Sequence, residues 1–231
     1  MNIEETKPQP NNLVAGSPEG VNELYQMLRQ HLKRMRQHSP SEGLKPELYM
    51  VNTRLQSHRA RGEDALFLRR QFSGKYAATE ENIAVASYYN EQVYRFILNQ
   101  VVPNWHLASR AKRHPLALSF VDFGGSRHHQ PRITEMPHYH SIYLMPARTV
   151  PRFEELIKTE FTRIHLNGKN FPITEVHCQK IESADQDLKT VIEYSSKFLR
   201  CPIAKNFSAE TQSSLFNAFG TGQKKRIKSR S

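Results

Sequence analysis

The chain has 231 residues, enough for one well-packed core and at most a small second module. Lys and Arg number 33 against 22 Asp and Glu, giving a formal charge of +11 and a sequence pI near 9.7. That excess points to a polyanionic partner, nucleic acid first, although acidic lipid or a merely solvated face would also suit it. No run of about 18 apolar residues exists to span a bilayer. The start, Met1-Asn-Ile-Glu-Glu-Thr-Lys-Pro, lacks the basic and apolar regions of a secretory signal, so a cytoplasmic location is expected. Only Cys178 and Cys201 are present, in no C-x-x-C arrangement, which argues against a disulfide framework and a cysteine-based zinc site.

Residues 1 to about 20, rich in Pro, Asn, Gly and Glu, are expected to form a disordered leader. Val21, Leu24, Leu28 and Leu32 then recur at helical spacing to about His38, before Ser39-Pro40-Ser41-Glu42-Gly43 breaks the pattern. The stretches Leu48 to Ala60 and Leu66 to Phe72 carry Arg54, Arg59, Arg61, Arg69 and Arg70 and fit neither period. Thr79-Glu80-Glu81 opens a second helix that Ile83, Ala86, Asn90, Val93 and Ile97 continue to about Val102, where Pro103 stops it. Residues 21–103 thus read as a mainly helical N-terminal region.

Beyond a basic connector, Leu116 to Phe123 reads as a strand with Leu118, Phe120 and Asp122 on one face, ended by Gly124-Gly125. A loop bearing Arg127, His128, His129 and Arg132 follows, either to contact phosphates or simply to meet solvent. It leads to a second strand, Pro137-His138-Tyr139-His140-Ser141-Ile142-Tyr143-Leu144, as in a hairpin with an enlarged connection. An amphipathic helix (Phe153, Leu156, Ile157, Phe161, Ile164), a strand over 171–181 and a helix running from Ser183 to Leu199 complete the pattern, with Pro202 as its stop. The predicted class is α+β, a mostly antiparallel sheet with helices packed on one face, its main domain spanning 104–205. Residues 206–231 are expected to add a short helix, with Leu215, Phe216 and Phe219 on its apolar side, and the basic tail Lys224 to Arg230.

Two local patterns carry chemistry. His138 and His140 share one face of a strand, so their imidazoles stand close enough to hold one metal ion; alternation alone also fits a strand with one wet face. Tyr194 and Lys197, three apart on the last helix, are neighbours on one flank, where a phenol and an ammonium can converge; taken alone, that spacing more often means a partly buried Tyr beside a solvated Lys.

The His-x-His strand and Tyr194-Ser195-Ser196-Lys197, in that order with a helix and a strand between them, together resemble the HUH endonucleases, particularly the rolling-circle replication initiators. The resemblance covers roughly residues 116–200. It implies that His138 and His140 hold Mg²⁺ or Mn²⁺ with a third ligand, and that Tyr194, assisted by Lys197, attacks a phosphodiester to form a 5′-phosphotyrosine link. Single-stranded DNA or an origin hairpin would be the substrate. No Walker-type loop is present, so unwinding would fall to a host helicase. For the third ligand Asp122 comes first, Glu135 second if a bulge at Met136-Pro137 turns it to the right face, and Glu175 with His177 third. Other readings are a catalytically silent nucleic-acid-binding protein on the same fold, a transposase or relaxase relative, and a zinc metalloenzyme of another class. The position of Tyr194 relative to the histidine pair separates them: on the same side of the sheet it can act with them, on the opposite side it cannot.

Overall fold

The computed structural model describes residues 18–37, 45–55, 79–133, 135–159, 173–183, 187–208 and 212–216. The elements are α1 (Pro18–Gln37), β1 (Glu47–Leu55), α2 (Glu80–Val101), β2 (Leu116–Asp122), β3 (His138–Met145), α3 (Val150–Thr159), β4 (Ile173–Ile181), α4 (Asp187–Ser195) and β5 (Ser213–Phe216). The α+β class is as expected. Residues 1–17, the arginine-bearing stretch beyond Leu55, the distal half of the helix expected to reach Ile164, and the basic tail lie outside the described residues.

All strand pairings are antiparallel, in the spatial order β4-β1-β3-β2-β5. Alternation therefore sorts side chains cleanly between two faces. On one, Leu48, Leu118, Phe120, Ile142 and Leu144 meet the apolar stripe of α1 (Val21, Leu24, Leu28, Leu32) and Leu188 and Ile192 of α4. On the other, Tyr49, Val51, Ala117, Tyr143 and Met145 meet Val93, Tyr94, Ile97 and Leu98 of α2 and Phe153 and Leu156 of α3. Helices thus cover both faces, not one. Both faces of the inner strands carry apolar side chains, so burying them takes two layers of helix.

Four local readings are corrected. Residues 47–55 form β1, a strand inside the sheet, so the region 21–103 supplies a central strand as well as helices. Gly20, placed in the leader, belongs to α1, which Pro18 opens; proline suits the first turn because the amide it lacks has no helical partner there. Residues 213–216, read as helix, form β5. They pair with β2 from Phe120↔Ser213 to Ala117↔Phe216, and Leu215 adds to the core. The last helix stops at Ser195 and the chain continues as a 3₁₀ turn over Lys197–Arg200. Ser196 turns its hydroxyl back to the Ile192 carbonyl (2.8 Å), a competition with the helix that weakens serine as a continuing residue.

Candidate metal centre and nucleophile

The hairpin of β2 and β3 sets Asp122 directly opposite His138 and Phe120 opposite His140. Paired residues in a sheet present their side chains to the same face, so one β2 carboxylate meets two β3 imidazoles. Asp122 Oδ2 lies 2.9 Å from His138 Nε2 and 3.0 Å from His140 Nε2. The ligand atoms of the three residues all fall within 4.8 Å of one another, a group that can hold a metal ion.

Asp122 is fully buried and His140 nearly so, while His138 is partly open to solvent. Burial by itself would raise the Asp122 carboxyl. The contacts of His138, His140 and Lys197 with the carboxylate outweigh it and hold the group well below the usual carboxylate range, so it stays ionised. His140 is pushed below its ordinary value, first by burial, against the opposing effect of the Asp122 carboxylate in contact with it, and then by Lys197 and His138 beside it. Both trends favour the protonation states that bind metal, an anionic carboxylate and a neutral imidazole.

Three further residues shape the site. Asn52 of β1 pairs with His140 across the sheet, and its Oδ1 accepts from His140 Nδ1 at 2.6 Å, which directs the Nε2 lone pair toward Asp122. Ser126 donates its hydroxyl to Asp122 Oδ1 at 2.5 Å, leaving Oδ2 for the histidines. Arg200, whose guanidinium donates to the Glu193 carbonyl at 3.1 Å, lines the adjoining cavity with Tyr194. Asn52 lies in a segment of unassigned period; Ser126, four residues beyond Asp122, opens the loop rich in His and Arg and carries no sequence signal of its own.

Tyr194 lies on the histidine side of the sheet. Its ring meets that of His140 edge-on at 5.2 Å between centroids, and 45 % of the residue remains exposed. Lys197 Nζ sits 4.1 Å from the centre of the Tyr194 ring, ion-pairs with Asp122 and lies 3.0 Å from His140 Nε2. The 3₁₀ turn carrying this lysine is fixed by Phe198, whose ring packs between Phe123 and Phe207 in the core. The tyrosines of α2 divide as packing residues do: Tyr94 is buried and donates to the Pro115 carbonyl, and Tyr88 is exposed on the surface.

The loop of residues 123–133 is folded by its own backbone, with Arg132 N bonded to Gly124 O (2.7 Å) and His128 N to Gly125 O (3.0 Å). Gly125 has φ +84°, and a Cβ there would meet the Gln130 carbonyl oxygen at 2.3 Å, so the turn requires glycine. The loop closes one side of a cavity of about 330 Å³ lined by Ser126, Arg127, His129, Tyr194, Lys197 and Arg200. Of the four loop residues expected to contact phosphate, Arg127 and His129 line it. His128 is exposed and lies outside the lining, and Arg132 instead pairs with Glu135 at 3.0 Å.

That pair also removes Glu135 as the third ligand. Its carboxylate turns to Arg132 over Gly124, with no strand pairing to carry it to the histidines. Glu175 and His177 do share the site's face, paired through Arg54 and Asn52 respectively, but β4 lies two strands from β3, about 10 Å away. Glu175 is ion-paired with Arg54 at 3.7 Å.

Comparison with protein-family models, curated proteins and solved structures gave no match. Among the described residues no helix is long and apolar enough to cross a membrane.

Proposed function

We propose that this protein is a metal-dependent nuclease that nicks and rejoins single-stranded DNA through a 5′-phosphotyrosine on Tyr194, of the kind the HUH endonucleases use to start rolling-circle replication. One observation carries the reading: a partly exposed tyrosine packs edge-on against one of two histidines that share a buried carboxylate, beside a cavity lined with cations.

The donor set fits a divalent ion. Two imidazole nitrogens and one carboxylate oxygen leave coordination positions free, and the nitrogens favour Mn²⁺ over Mg²⁺, which prefers oxygen. A bound ion would polarise the scissile phosphodiester and offset charge on its non-bridging oxygens. The chain's own groups do the rest. Arg127 and Arg200 hold the strand's phosphates in the cavity, and His129 lies beside them. The phenol of Tyr194, open to solvent, loses its proton to solvent and attacks phosphorus; a Tyr–O–P bond forms, the P–O3′ bond breaks, and the departing oxygen takes a proton from solvent to leave a 3′-hydroxyl. Lys197, against the ring, offsets negative charge on the phenol oxygen and then on phosphate. Rejoining runs the step backwards.

A second reading is favoured by the Lys197–Asp122 ion pair, which balances the carboxylate without any metal: a silent DNA-binding protein in which the polar cluster is structural. Mn²⁺ titration of chelator-stripped protein separates the two. The nuclease reading expects one tight site per chain that is lost in His138→Ala and His140→Ala, and cleavage of single-stranded DNA only with metal present. DNA binding with no metal site and no cleavage would leave the silent reading standing.

A further inference from the structure

We propose that Lys197 is an internal cation of the metal centre, its ammonium lying between Asp122 and His140 where the divalent ion binds, so that metal entry releases it into the DNA cavity. This rests on reading the triad as a metal centre and adds how that centre is loaded.

The contact between His140 and Asp122 contains the reason. His140 Nδ1 lies 2.6 Å from Asn52 Oδ1, an atom that only accepts, and its Nε2 lies 3.0 Å from the Lys197 ammonium, which only donates, so the ring proton is on Nδ1 and Nε2 presents a lone pair. That lone pair faces Asp122 Oδ2 at 3.0 Å. Two acceptors repel at this distance unless a positive group bridges them. Lys197 is that group: its Nζ ion-pairs with Asp122 Oδ2 and lies 3.0 Å from His140 Nε2, in a setting where Asp122 is fully buried and Lys197 nearly so. A divalent ion held by the same two atoms would need the same space and would repel the ammonium at contact distance. Both cannot stay.

The displaced lysine has somewhere to go. Phe198, the next residue, anchors the backbone in the core, so only the four-carbon stem need move. Tyr194 and the cavity that Lys197 itself lines lie alongside it. Released there, the ammonium meets the phenol oxygen and the strand's phosphates; retained on Asp122, it is withheld from them. Metal loading and arming of the nucleophile become one event.

Two measurements on the full chain test this. In wild-type protein, lysine acetylation read by mass spectrometry should modify Lys197 slowly in chelator and several-fold faster in saturating Mn²⁺, other lysines serving as the reference. An unchanged or slower rate overturns the proposal. Separately, Lys197→Met should bind Mn²⁺ about tenfold more tightly or better, because the site no longer spends most of its time occupied by its own ammonium. Equal or weaker binding by a folded Lys197→Met, with wild type binding normally, overturns this proposal and leaves the metal centre intact. Binding of Mn²⁺ by neither protein overturns both.

Discussion

Replacing Asp122 with Asn keeps the shape of the side chain and removes its charge. The carboxylate is fully buried, takes the Ser126 hydroxyl on Oδ1, and meets His138 and Lys197 on Oδ2. The substitution leaves the Lys197 ammonium buried without its counter-charge and turns an amide N–H toward a former donor. Breaking a buried pair from one side costs about 3–5 kcal/mol. Removing both charges in Asp122→Asn with Lys197→Met should return much of that, for a coupling on the order of 2–3 kcal/mol. Equilibrium urea unfolding in chelator, followed by circular dichroism at neutral pH, reads both values. The same pair sets an acid dependence. The Asp122 carboxyl is held well below its ordinary value of 3.8, so its contribution is present in full above that value and is lost as pH falls toward the folded-state pKa. The stability gap between wild type and Asp122→Asn should therefore narrow by about 1 kcal/mol between pH 5 and pH 3. A single-variant cost below about 1 kcal/mol, or a gap that does not narrow in acid, would refute the account of Asp122 as the buried charge that organises the cluster.

The other expectations are simpler. Gly125→Ala should cost about 2 kcal/mol and weaken Mn²⁺ binding, since the loop must shift and carry Ser126 off Asp122; calorimetry and metal titration check it. Phe153→Ala, in the core on the far face, should cost about 3–5 kcal/mol and leave metal affinity unchanged. Arg127→Ala and Arg200→Ala should each weaken single-stranded DNA binding and reduce the slope of log K against log salt by about 0.7. Fluorescence anisotropy across a salt series measures that slope, and unchanged slopes would place the strand elsewhere.

The parts of this fold that could be read from sequence are those where one face is apolar without interruption. Leu24, Leu28 and Leu32 announce α1, and Leu118, Phe120 and Asp122 fall on the β2 face that alternation assigns them. β1 is hard to read because Asn52 and Arg54, the residues paired with His140 and His138, break the apolar alternation that Leu48 and Met50 begin on the same face. Local patterning gives way at functional sites, and here it hid Asn52. β5 is four residues long, and Leu215 beside Phe216 suits either period; only the open edge of β2 makes it a strand. Arg200 escapes a sequence reading because it lies just past the expected helix end at Leu199, whereas the serine pair at 195–196 converts the chain to a 3₁₀ turn that includes it. Glu135 failed as a ligand for a reason that composition cannot show, the nearer arginine at 132.

The central claim is that Tyr194 is a nucleophile toward DNA. Its most direct test is peptide mapping of the protein after incubation with a pool of random single-stranded DNA and Mn²⁺. A nucleotide joined through phosphate to the peptide containing Tyr194, absent with chelator and absent in Tyr194→Phe, is the predicted result. DNA cleaved without a covalent adduct, or an adduct on any other residue, would contradict it.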